Sequence, residues 1–226
     1  MIAVSCVSYL TGERHDLSRL RILADSVGAM LVVDYTQAAG YLPIDATIPD
    51  FAFSACYKWL LGVTGTAVAV WNRRRQPDWA PTSAGWHSFA PSTRGYDPPP
   101  GLCADAMRFT RGNPAHASVY VLADALDYLA GFEAPAITAH VQALTTALIA
   151  RLAALQIPVM TPTDPARHGA SVCVASPHAQ AMTDALADHG VWAWNGHGRI
   201  RFSFHGYNDM TDVERIVVGM RAVWRG

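Results

Sequence analysis

The stretch VVDYTQAAGYLPIDATIPDFAFSACYKWLLGVTGTAVAVW, residues 32–71, decides the fold. It holds three short apolar runs: the end of AMLVVD, closing on Asp34; DFAFSA, closing just before Lys58; and GTAVAVW, between Gly65 and Asn72. Runs of this length, bounded by Gly, Pro, Asp or Asn, read as buried strands joined by turns. Ahead of them IAVSCVS, residues 2–8, reads as another strand, followed by a turn in TGERHD. A helix over 17–27 then starts on the Asp16 cap, places Leu17, Leu20, Leu23, Ala24 and Val27 on one side, and stops at Gly28. Strand, helix and strand at this spacing predict an α/β fold with a mostly parallel sheet covered by helices.

Downstream, the pattern breaks from Arg73 to Gly112 into Pro, Gly and aromatic residues, including YDPPPG at 96–101, which supports neither a ladder nor a helix. An irregular stretch this long is usually a functional loop or an interface segment. Helical periodicity resumes over about 115–130 and 134–156. After it come a strand in ASVCVAS, a helix over 178–189, short strands near 191–194 and 199–204, and a last helix from 211. The expected organisation is part of a large α/β domain over 1–113, with its irregular loop at 73–112, and a linking helix with a small α+β domain over 114–226.

The chain has 226 residues, 51% apolar and 15% charged, enough to bury a sizeable core. A net charge of −1 gives no electrostatic footprint for nucleic acid or an anionic membrane, and Arg73-Arg74-Arg75 reads as a solvated turn. Cys6, Cys56, Cys103 and Cys173 lie far apart without a CxxC, and the nine histidines lack HxxxH or HExxH spacing, so no metal site is expected. The N-terminus is too polar for a signal peptide or membrane span. A soluble, cytoplasmic protein is expected.

Of the 17 Lys and Arg residues only Lys58 is a lysine, and it stands among Phe53, Cys56, Trp59, Leu60 and Leu61. In open α/β sheets ligands gather at the carboxyl ends of strands, where Asp34 and Lys58 both fall. Desolvation disfavours a charged amine and frees it as a nucleophile toward carbonyls, a role closed to arginine. An acid and such a lysine are the two groups that pyridoxal phosphate (PLP) most needs, one to keep its pyridine nitrogen protonated and one to form the Schiff base. Each residue also has a structural reading. Lys58 could snorkel from an apolar patch, Asp34 could serve only its turn, and Arg201, in GRIRFSFHGYND, could pair with a carboxylate of the small domain.

Residues 32–71 resemble the core signature of the class V aminotransferase family of fold-type I PLP enzymes, which includes cysteine desulfurases and kynureninases. The likeness lies in a strand-end Asp, a Gln three residues on, an Asp-Phe strand, and a Lys before a Gly-containing turn. VSYLTGERHDL and RIRFSFHGYNDMTDVERIV look like further family segments. The resemblance implies that Lys58 is the Schiff-base lysine and later the acid/base on the substrate. It implies that Asp34 pairs with the pyridine nitrogen, Gln37 donates to the phenolic oxygen, and Arg201 clamps the substrate carboxylate. Tyr57 matches a kynureninase tyrosine that meets the cofactor phosphate. Trp86 in SAGWHSF and Asn113 in RFTRGNP resemble kynureninase positions that approach the cofactor or substrate across a homodimer interface. Structurally, Trp86 could anchor its loop and Asn113 could cap a helix beginning at Pro114.

The sequence also departs from the family pattern. Kynureninases usually carry histidine where Gln37 stands, and a serine common three residues before the lysine is Ala55 here. HGVWAWNGHGRIR lacks the cysteine a desulfurase needs, so desulfuration is disfavoured. Family members are longer, and the segment preceding the counterpart of Met1 supplies their phosphate cradle and ring-stacking group. Two functions are therefore expected. One is a PLP-dependent enzyme acting on an amino acid, as a kynureninase-like hydrolase or lyase or a transaminase; the other is a truncated, inactive remnant or partner subunit of such an enzyme.

Overall fold

A computed structural model describes residues 1–90 and 101–224. Most of the YDPPPG run lies outside them. The first sheet has the order β1 (Ile2–Ser5), β2 (Leu31–Asp34), β3 (Phe51–Ala55), β4 (Ala67–Trp71). β1, β2 and β3 are parallel, and β4 returns antiparallel to β3. In register Ser5 lies opposite Asp34 and Asp34 opposite Phe53, so β1 and β2 finish at one level and β3 runs on to Ala55.

Helix α1 (Leu17–Ser26) is capped by Asp16, whose carboxylate accepts from the Arg19 N–H. The face it buries differs from the one the leucine spacing predicts. Ala24 is fully buried and Leu17 and Leu20 partly so, but Leu23 and Val27 are 52% and 66% exposed. Arg21 turns inward instead, because Asp50 Oδ2 waits 2.6 Å from its Nη1. The same carboxylate accepts from the Leu31 N–H at 2.7 Å and, through Oδ1, from Gln76 Nε2 at 2.8 Å. A buried charge is tolerated when it is paired and hydrogen-bonded in this way.

The second sheet, order β5 (Ser171–Ala175), β7 (Arg199–Ser203), β6 (Trp194–Gly196), is antiparallel. Helices α3 (Ala134–Ala154), α4 (Ala179–Asp188) and α5 (Met210–Val223) enclose its core around Leu148, Leu152, Val172, Ile200 and Phe204. Before them, α2 (His116–Ala130) follows the irregular segment and leaves Tyr120 and Tyr128 exposed. α3 is long and apolar enough to cross a membrane by composition alone. Its buried stripe is used in packing instead: Val141 belongs to the core beneath the first sheet, and Leu144, Leu148 and Leu152 to the core of the second. One helix thus braces both sheets.

Candidate active site

Alternation along β2 buries Leu31 and Val33 and leaves Asp34 exposed at the strand end. Asp34 serves its turn with one oxygen, Oδ1 accepting from the Thr36 N–H at 2.7 Å. No other hydrogen bond to its carboxylate occurs among the described residues. The Thr36 hydroxyl in turn accepts from the Ala55 N–H at 2.9 Å, which fixes the end of β3 against the turn after β2.

Lys58 follows that strand end. Its neighbours are only partly dry, since Cys56 and Trp59 are buried but Phe53 is 45% exposed. The amine is itself partly buried, makes no hydrogen bond or ion pair among the described residues, and lies 5.7 Å from the centre of the Tyr57 ring. Burial lowers its pKa, the Arg201 cation lowers it further, and the Asp34 carboxylate opposes both. Amine, guanidinium and carboxylate therefore share one electrostatic neighbourhood.

Arg201 lies on β7, opposite Cys173 on one side and Trp194 on the other. No carboxylate pairs with it among the described residues, against the structural expectation. Its Nη1 donates to the Tyr9 carbonyl at 3.0 Å, and the Trp194 ring covers the guanidinium at 4.7 Å. Its Nε is buried without a hydrogen-bond partner among the described residues. An orphaned buried donor costs about 1–3 kcal/mol, so the guanidinium keeps an unmet capacity for an acceptor.

Gln37 reaches the site differently, with Oε1 accepting from the Trp59 indole N–H at 3.2 Å. Sequence reasoning took Trp59 only as an apolar neighbour of the lysine; the signal available was that a buried indole N–H needs an acceptor. It also passed over Trp194, which meets Arg201 through the pairing of β6 with β7, and Tyr9, whose carbonyl in the turn after β1 accepts from Arg201; no local motif reveals either.

Trp86 and Asn113 are joined to each other's segments and not to Lys58. The Trp86 N–H donates to the Arg111 carbonyl at 2.7 Å, and His87 Nε2 donates to Asn113 Oδ1 at 3.0 Å. Trp86 is 76% exposed, so its ring does not anchor the loop. The expected Asn113 cap is absent as well: α2 begins at His116 with Ala115 at the cap, because the Asn113 amide is engaged by His87. A cleft of about 980 Å³, lined by Cys6, Arg14, Asp16, Tyr35 and Arg167 among others, contains none of the site residues.

The aminotransferase class-V family profile matches residues 1–216. A kynureninase from Pseudomonas fluorescens is 30% identical over 202 residues, covering 84% of this chain and 47% of the relative. An apo cysteine desulfurase from Thermococcus onnurineus NA1 superposes with a TM-score of 0.87 at 25% identity, over 97% of this chain and 58% of that one. A C-DES variant with glycine covalently linked to its PLP cofactor shares the fold, with a TM-score of 0.84 at 19% identity over 98% and 60% of the two chains. The chain spans about half the length of the curated relatives it matches. With nearly all of it inside one family profile, the chain belongs to the class-V aminotransferase family of PLP-dependent enzymes.

Proposed function

We propose that the chain carries the catalytic lysine and the carboxylate-binding arginine of a PLP-dependent enzyme acting on an amino acid, a kynureninase-like hydrolase or lyase or a transaminase. The supporting observation is that the Arg201 cation and the Asp34 carboxylate, from two other strand-linked segments, both act electrostatically on the partly buried Lys58 amine. The donor set suits PLP. Asp34 keeps an oxygen free for a ring N–H, Gln37 keeps its Nε2 free for an anionic oxygen, and Tyr57 holds its phenol ring 5.7 Å from the lysine amine. When bound, PLP supplies an aldehyde and a ring that stores electrons.

The protein's own contribution follows from charge. A lowered pKa raises the unprotonated fraction of Lys58 at neutral pH, which makes Nζ competent toward a carbonyl carbon and able to accept a proton. Arg201 would take a substrate carboxylate on its Nε–Nη2 edge, the side left without an acceptor among the described residues, while Tyr9 and Trp194 hold the rest of the guanidinium. When a carboxylate occupies that edge, the cation that depresses Lys58 is compensated. The amine then becomes the stronger base at the moment a substrate C–H lies beside it. Trp86 and Asn113 belong in this scheme to the neighbouring site of a cytoplasmic homodimer, for which the 76% exposure of Trp86 leaves its indole available.

Titration of the purified protein with PLP tests the proposal. Wild type should develop a saturable visible absorbance band that Lys58→Ala lacks at equal folded content by circular dichroism. A folded wild type without the band, or an equal band in Lys58→Ala, would overturn it.

A further inference from the structure

A carboxamide carries an acceptor at one end and a donor at the other, and the group itself does not dictate which faces a ligand. At Gln37 the choice is made by Trp59. An indole N–H only donates, so its approach to within 3.2 Å holds the amide oxygen toward the tryptophan and leaves Nε2 as the end available to the site.

Trp59 is in turn held from several sides. It is 7% exposed, stacks on His205 with centroids 5.6 Å apart and planes at 13°, and meets Tyr41 edge-on at 5.0 Å. Its carbonyl lies 3.2 Å from His205 Nε2. His205 Nδ1 accepts from the Gly206 N–H at 2.7 Å, so the ring proton sits on Nε2 and is donated to the Trp59 carbonyl. Burial lowers the His205 pKa, in keeping with this neutral tautomer. Behind the same carbonyl runs Gly40, where a Cβ would come within 2.2 Å of the oxygen. The residue after Lys58 is thus clamped between the turn that follows β2 and the segment that follows Arg201.

We propose that Trp59 is a positioning residue, its indole N–H, locked by His205, fixing the Gln37 carboxamide so that Nε2 faces an anionic, phenolate-type oxygen of the ligand held at Asp34 and Lys58. The identity of that ligand rests on the PLP proposal; the clamp on the amide does not.

Two readouts separate the two. In the protein without cofactor, the Trp59 indole N–H, one of seven in the chain, should be assigned by ¹H–¹⁵N NMR. Gln37→Leu should move that resonance alone and speed its solvent exchange roughly tenfold, the scale of one buried hydrogen bond. An unmoved resonance overturns the proposal, whatever the cofactor does. In the PLP complex, Trp59→Phe keeps the stack and removes the donor. It should shift the pH midpoint of the visible band in wild type and leave it unshifted in a Gln37→Leu background. An equal shift in both backgrounds shows that Trp59 acts by packing alone and overturns the proposal. Where Trp59→Phe lowers stability too far for titration, the Gln37→Leu NMR comparison decides. Absence of any band in wild type refutes the PLP proposal while the indole measurement still stands.

Discussion

Replacing Asp50 by alanine isolates the device that holds β2 and β3 in register. The carboxylate is 3% exposed and receives three donors: Arg21 Nη1 at 2.6 Å, the Leu31 N–H at 2.7 Å and Gln76 Nε2 at 2.8 Å. Its removal takes from the buried Arg21 one of its two carboxylate partners, leaving Asp25 at 2.7 Å, and strands the Leu31 N–H at the start of β2. Breaking one side of a buried pair costs about 3–5 kcal/mol. For a chain of this size that is a fall in melting temperature of roughly 6–20 °C. Urea unfolding followed by tryptophan fluorescence measures it, as a lower midpoint at unchanged slope. The acid limb adds a sign. Burial alone would raise the Asp50 pKa, but the bonds from Gln76, Leu31 and Arg21 together hold it below the ordinary value. Its stabilisation is therefore complete above the unfolded carboxylate pKa of about 3.9 and is lost as pH falls through the lower folded value. Asp50→Asn, which does not titrate, should flatten that limb. A loss under about 1 kcal/mol for Asp50→Ala would refute the assignment of the pair as a structural hub.

Three further outcomes follow. Arg201→Gln should raise the Lys58 pKa by removing the neighbouring cation; ¹³C reductive methylation of the single lysine reads this, and an unchanged or lower value would contradict it. Gly40→Ala should cost more than about 2 kcal/mol, because φ is +109° and the new methyl meets the Trp59 carbonyl; a neutral midpoint in urea would count against that contact. Gly196→Ala should push the Trp194 indole, 2.6 Å from the added Cβ, off the Arg201 guanidinium, seen as a changed tryptophan emission and weaker carboxylate binding; identical emission and affinity would show the stack to be idle.

Much of the fold was legible because the strands are short apolar runs closed by turn residues, as in LVVD and FAFSA. The direction of β4 was not, since periodicity carries no information on pairing partners. The inward turn of Arg21 was hidden because its partner Asp50 lies 29 residues away, and helical spacing reports only the apolar side chains. At the site, the uniqueness of Lys58 and its strand-end position were readable from the residues. The Tyr9 carbonyl under Arg201, 192 positions distant, and the His205 clamp on Trp59 arise only when the two sheets are brought together.

The most direct measurement is peptide mapping by mass spectrometry after incubation with PLP and reduction with borohydride. Two amines exist in the chain, the Met1 terminus and Lys58. The account predicts a pyridoxyl group on the peptide containing Lys58, suppressed when Asp34 is replaced by alanine. A label confined to Met1, or none on a folded protein, would contradict it.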